Sequence, residues 1–145
     1  MTQTSQLCTF YLDRLLFGVD LHGVQEVMRD MSMTPVPLAP EVVSGLMNLR
    51  GQLVTAVDLR RRLQLEAAPP DVQPMNIVVR TSDGAVSLLV DEIGDVVEVQ
   101  DPTFERPPET LQGEIRNMIL GVHKLDGRLL HVLDVQKACQ VAEGV

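Results

Sequence analysis

Apolar and polar residues alternate along much of this chain with the two-residue period of β-strands. "LCTFYL" (7–12) and "LLFGVDL" (15–21) read as two strands that reverse at Asp13-Arg14. In the second, Phe17, Val19 and Leu21 alternate with Gly18 and Asp20, the pattern of a half-buried strand. "GVQEVMR" places Val24 and Val27 three apart, which fits either a single helical turn or a bent strand. "MTPVPLAP" carries three prolines and must be irregular, extended backbone. "EVVSG" (41–45) fits a helical turn started by Pro40. Leu46–Leu49 and Leu53–Val57 then form a hairpin that reverses at Arg50-Gly51. After a linker-like stretch, Glu66 to Pro74, the pattern restarts with the strand "MNIVVR", the turn Ser82-Asp83-Gly84 and one long strand, "AVSLLVDEIGDVVEV" (85–99). Residues 100–117, "QDPTFERPPETLQGEIRN", form a second irregular excursion.

The hairpin is written twice. "GLMNLRGQLVTAVDLRRRL" (45–63) and "GVHKLDGRLLHVLDVQKAC" (121–139) align without gaps at an offset of 76. Gly45 meets Gly121, Gly51 meets Gly127, and Asp58 meets Asp134. Asp126-Gly127 between apolar strands is a strong hairpin signal. Asp58 and Asp134 each follow a strand and precede a short amphipathic stretch, so both are placed to cap a helix with their carboxylates. Arg60 to Arg62 and Lys137 are expected on the exposed faces of those helices. Upstream, an offset of 69 pairs Phe17 with Val86, Val24 with Ile93 and Val27 with Val96. Each half therefore reads strand, strand, irregular segment, hairpin, short helix. Two small barrels packed together satisfy this pattern, and closure protects their edges.

Composition narrows the picture. A chain of 145 residues is long enough to bury roughly 70% of its unfolded surface without a disulfide. With no Trp, one Tyr and three Phe, its core must be aliphatic. The formal charge of −8 argues against nucleic acid as a partner, because phosphate binding needs clustered Lys and Arg. Arg60-Arg61-Arg62 is open to two readings, a solvated helix face or a docking patch for an acidic partner. The opening "MTQTSQLCTF" lacks the basic and apolar regions of a signal peptide, and no apolar run approaches a membrane span. A soluble cytoplasmic protein without membrane insertion is expected, with Cys8 and Cys139 as reduced core thiols.

The chemistry is sparse. Asp58 and Asp134 invite comparison with an aspartic dyad sharing a proton. Their neighbours, "DLR" and "DVQ", lack the small residues that orient such a dyad, and capping is the better reading. His22, His123 and His131 have no metal-ligand spacing, and His131, in a strand, is expected to be structural. No phosphate loop or nucleophile motif is present, so no cofactor and no metal are expected. What stands out is Asn48-Leu49-Arg50-Gly51. Arg50 occupies a position where the turn prefers Asp or Asn, so another interaction should hold it. A salt bridge to Glu26 or Asp58 is one reading; a surface whose planar donors meet a partner is the other.

These residues carry a resemblance. "FGVDLHGVQEVM", "TPVPLAPEVVSGLMNLRGQLVTAVDLRRRL", "SLLVDEIGDVVEV" and "ILGVHKLDGRLLHVLDVQK" resemble, in order and from about Phe10 to Lys137, the bacterial chemotaxis coupling proteins of the CheW family. The resemblance implies a mainly β fold of two pseudo-symmetric SH3-like five-stranded β-barrels with short helices. It implies one CheW-like domain over 1–145, with halves near 7–65 and 75–141 and room for the N-terminal strand to cross between them. It also implies a non-enzymatic adaptor that joins a chemoreceptor signalling tip to the regulatory domain of a chemotaxis histidine kinase in a cytoplasmic array. The family's receptor-facing groove falls here on Val24, Glu26, Gly45, Asn48 and Arg50, with Ile93 and Asp95 from the second half. Where the family usually has a proline in the strand before its aspartate, this chain has Thr55, a change expected to alter strand bending and leave the groove intact. The rival readings are a detached kinase-regulatory domain of the same fold and a duplicated-barrel hydrolase using Asp58 and Asp134.

Overall fold

The computed structural model describes residues 4–29, 33–66, 69, 71, 73–82, 84–100, 104–109, 111 and 113–143, with side chains omitted at 104 and 141–143. Part of the expected linker and Asp83 of the second turn lie outside the described residues. Strands β1 (Thr4–Leu12) and β2 (Leu15–Asp20) form the first hairpin. A 3-10 turn (Leu21–Gly23) leads into β3 (Val24–Met28), a bent strand with a bulge between Val24 and Glu26. Then come β4 (Val43–Leu49), β5 (Gln52–Asp58) and α1 (Leu59–Arg62). The second half supplies β6 (Met75–Thr81), β7 (Gly84–Val90), β8 (Glu92–Gln100), the two-residue β9 (Phe104–Glu105), α2 (Glu114–Met118), β10 (Ile119–Leu125), β11 (Arg128–Leu133) and α3 (Val135–Glu143).

Two sheets result, ordered β8-β1-β2-β11-β10-β9 and β3-β6-β7-β5-β4. Leaving β9 aside, the orders are the same once β1 is matched to β6, β2 to β7, β3 to β8, and the later hairpins to each other. The registers match as well. Val24 opposes Val79 as Ile93 opposes Phe10, and Val27 opposes Ile77 as Val96 opposes Cys8. The one parallel pairing in each sheet joins Thr55 to Val86 and His131 to Phe17, which are equivalent positions.

The halves 7–65 and 75–141 do not coincide with the sheets. Leaving β9 aside, each sheet takes one hairpin from one half and three strands from the other. The expected crossing of the N-terminal strand is in fact an exchange of both hairpins. The reason is local. The long strand expected at 85–99 breaks at Asp91, a single residue between β7 and β8. The tightest common hairpin needs a two-residue loop, so β8 cannot fold back on β7 and continues into the other sheet. Two further expectations change. Of 41–45, only Glu41 and Val42 form a turn, and Val43 already begins β4. The excursion at 100–117 contains β9 and α2.

Alternation sorts the apolar side chains. Even positions of β1, Cys8, Phe10 and Leu12, join Phe17 and Val19 of β2 in a core shared between the sheets. Val57, Ile77, Val79, Val86, Leu88 and Val90 meet them from the other sheet. Leu7, Leu16, Val99 and Leu130 form a smaller core on the far side of the first sheet, and Leu49, Val54 and Val78 do so on the second. Both cysteines are buried in the shared core, and burial pushes the Cys8 thiol up. His131 is buried, stands 5.3 Å from the Phe17 ring, and its Nδ1 lies 2.8 Å from the Leu16 carbonyl oxygen.

Candidate functional site

The β4–β5 hairpin reverses through Arg50 and Gly51 at φ 54° and 86°. Positive φ at both central residues is the type I′ geometry that suits the twist of a hairpin. Asn48 supports the turn by accepting from the Gly51 amide at 2.8 Å. The Arg50 guanidinium donates twice to Glu26, at 2.6 and 2.8 Å. Glu26 lies on β3, and β3 and β4 are the two edges of one sheet. The fork-to-fork pair therefore ties edge to edge and closes the curl of that sheet. It remains open to water, with the Arg50 side chain 72% exposed and that of Glu26 22%. Hydrogen bonding to Glu26, with its charge second, raises the Arg50 pKa.

The equivalent closure cannot form in the other sheet. Position for position, Glu26 corresponds to Asp95 and Arg50 to Asp126, so two like charges replace the pair. The main chain takes over near Asp95. Its carbonyl accepts from the Thr9 hydroxyl, and Gly94 leaves room for that hydroxyl, which a Cβ would approach to 2.5 Å.

The candidate residues fall into two groups. Val24, Glu26, Asn48 and Arg50 gather on the β3 edge and hairpin of one sheet; Ile93 and Asp95 lie on β8, the matching edge of the other. Val24 and Ile93 both pack, half-buried, against the shared core, so the two edges flank the seam between the sheets. Val27 and Val96, their exposed neighbours, add an aliphatic residue to each edge. Gly45 is different. It is buried, and a Cβ there would lie 2.7 Å from the Thr34 carbonyl oxygen, which accepts from the Leu46 amide at 2.8 Å. Its role is to let the proline-rich segment approach β4. Gly45→Ala should cost roughly 1–3 kcal/mol through overpacking, measured as a lower urea midpoint.

Sequence reasoning missed a second polar cluster. Arg60, expected on an exposed helix face, is only 8% exposed. Its guanidinium donates to both carboxylate oxygens of Asp91, through Nε at 2.8 Å and through Nη2, and also to the Glu66 carbonyl at 2.8 Å. Asp91 additionally accepts from the Asp13 amide at 2.7 Å. One carboxylate at the crossing thus holds α1 of one sheet and the β1–β2 turn of the other. Burial alone would push the Asp91 carboxyl up. The Arg60 hydrogen bonds, the Asp13 amide and the Arg60 charge together outweigh it and hold the carboxyl below its usual value. Arg62 is largely buried too, reaching Glu114 and the Lys137 carbonyl, and only Arg61 of the three is well exposed. The hint in the sequence was an arginine run on a helix too short to have a fully solvated face.

Asp58 accepts from the Arg61 amide at 3.3 Å and Asp134 from the Lys137 amide at 3.2 Å, each at its own helix start. Among the described residues no group of three or more His, Cys, Asp or Glu is arranged to hold a metal ion. Nor, among the described residues, is any helix long and apolar enough to cross a membrane.

Fold and site together define a class: a duplicated, mainly β module whose polar and aliphatic edge residues flank a seam between two matched sheets. The CheW-like domain model matches residues 6–143, and this chain belongs to that family. It is similar to the chemotaxis protein CheW of Rhizobium meliloti, 32% identical over 90% of this chain and 84% of that one. It is also similar to the chemotaxis protein CheW of Thermotoga maritima, 30% identical over 97% and 93%. Among solved structures, the scaffolding protein TtCheW from Thermoanaerobacter tengcongensis superposes with a TM-score of 0.82 at 26% identity, covering 90% of this chain and 89% of that one. The two sheets are the two SH3-like barrels of this family, the first extended by β9.

Proposed function

We infer that this chain is a chemotaxis coupling scaffold. It acts in the cytoplasm as a non-catalytic adaptor, joining a chemoreceptor signalling tip to the regulatory domain of a chemotaxis histidine kinase. The observation that carries this reading, beside the family match, is the gathering of Val24, Glu26, Asn48 and Arg50 where the β3 edge of one sheet meets its β4–β5 hairpin, with Ile93 and Asp95 on β8, the matching edge of the other sheet. A helical receptor tip would lay apolar residues along Val24, Val27, Ile93 and Val96, with Arg50 and Asp95 supplying charged contacts at either side. Gly45 serves that surface from below, by shaping β4. The kinase domain would take a separate face, and modest single contacts would gain strength from multivalency in an array.

The test is binding to a purified kinase regulatory domain and a receptor signalling tip from the same genome, separately and together. A ternary complex is expected. A chain that binds neither partner sinks the coupling role for these partners.

A further inference from the structure

The chain crosses between its sheets at two equivalent places, from β7 to β8 through Asp91 and from β2 to β3 through the 3-10 turn Leu21–Gly23. Each crossing delivers one edge of the seam: β8 with Ile93 and Asp95, β3 with Val24 and Glu26. The repeat places His22 at the position of Asp91, by the offset of 69, and Gln136 at the position of Arg60, by the offset of 76.

The two crossings are held very differently. The Asp91 carboxylate binds the Arg60 guanidinium and accepts from the Asp13 amide at 2.7 Å, and the Asp91 amide donates to the Tyr11 carbonyl at 3.1 Å. Arg60, on α1, follows a strand of β3's sheet, whereas Tyr11 and Asp13 lie in the first hairpin of β8's sheet. One residue thus ties the two sheets together. The Arg60 and Asp91 side chains are 10% and 16% exposed, so water and salt screen the pair weakly, and its two-pronged geometry fixes direction as well as distance. At the second crossing Gln136 is uncharged, so the ion pair cannot be repeated. The His22 side chain is 84% exposed, with its Nδ1 3.2 Å from Asp20 of its own turn. Gln136 and Asp20 line an open groove of about 420 Å³.

We propose that Asp91 is a positioning residue for recognition at the seam. By tying Arg60 to the β1–β2 hairpin it fixes the separation of the β3 and β8 edges, while the second crossing is left to adjust. Asp91 touches no partner in this role. It acts by holding Ile93 and Asp95 at a set distance from Val24 and Glu26, and edges fixed before docking lose less entropy on binding. The binding consequence rests on the coupling role; the separation of the edges does not.

Electron–electron resonance between spin labels at Val27→Cys and Val96→Cys, exposed and equivalent in the repeat, reads that separation. Cys8 and Cys139 are buried, so the folded chain is labelled. Binding is measured on unlabelled protein. Asp91→Asn should broaden the distance distribution and weaken receptor-tip binding roughly 2- to 30-fold, the range for coupling through residues that touch neither partner, with kinase-domain binding unchanged. His22→Ala should leave both readings at wild-type values. So should Leu130→Ala, which lowers stability from the separate core of the first sheet. If Asp91→Asn fails to fold, Arg60→Lys replaces it, because Lys keeps the charge and loses the fork. A folded Asp91→Asn with the wild-type distribution overturns the proposal. So does equal broadening by His22→Ala or Leu130→Ala, or a broadened distribution with unchanged receptor binding. A wild type that binds no receptor tip overturns the coupling role instead, and the distances then judge the separation of the edges by themselves.

Discussion

Asp91→Ala is expected to cost about 3–5 kcal/mol of unfolding free energy, the range for removing one partner of a buried ion pair. The magnitude follows from what is left behind. Arg60 is 8% exposed, and without Asp91 its guanidinium keeps only the Glu66 carbonyl among its described hydrogen bonds. The Asp13 amide also loses its carboxylate acceptor, so the β1–β2 turn is loosened with α1. Urea denaturation measures the loss, and a change under about 1 kcal/mol would show that water reaches the cluster and that it behaves as a surface pair. The acid limb gives an independent reading. The Asp91 carboxyl is held below its ordinary value in the folded chain. Its contribution is therefore complete above the unfolded pKa of about 3.9 and is lost as pH falls through the lower, folded value. Asp91→Asn removes this titration, so the stability of that variant should fall less steeply than wild type below about pH 4. Equal slopes would mean that Asp91 does not titrate as the geometry requires.

Arg50→Glu is expected to weaken receptor-tip binding by roughly tenfold or more, in the range of truncated charged contacts, and to leave kinase-domain binding intact. Interpretation needs a second variant, because Arg50 both faces outward and closes its sheet through Glu26. In Glu26→Arg/Arg50→Glu the charges are exchanged and the edge-to-edge pair can re-form. Recovery of the melting temperature without recovery of binding would identify Arg50 as a direct contact. Recovery of both would assign it the closing role alone. Normal binding by folded Arg50→Glu would remove it from the receptor surface. Salt separates the terms further, since an exposed pair is screened while the aliphatic edge residues are not.

Local features were legible in the sequence because their causes are local. The Asp13-Arg14 and Asp126-Gly127 reversals, the strands flanking them and the aspartates at the helix starts follow from turn chemistry and two-residue periodicity. The repeat was legible for the same reason, and its offsets of 69 and 76 reappear as matching registers in the two sheets. At Arg50 the sequence left a choice between a salt bridge to Glu26 or Asp58 and a partner contact. The bend of β3 brings Glu26 to the hairpin, while Asp58 lies at the far end of β5, bound to the first turn of α1.

The sequence by itself determined most of the strands and turns, the duplication and the family. Only the tertiary structure decided that the halves exchange hairpins. That exchange rests on a one-residue connection at Asp91, which no glycine or proline announces and which is too short to reverse. It likewise decided that Arg60 is buried, because its partner lies 31 positions away and meets it only once β5 and β7 pair in parallel, with Asp58 opposite Leu89. Burial of a charge depends on which element arrives opposite it, and periodicity along one strand or helix carries no record of that.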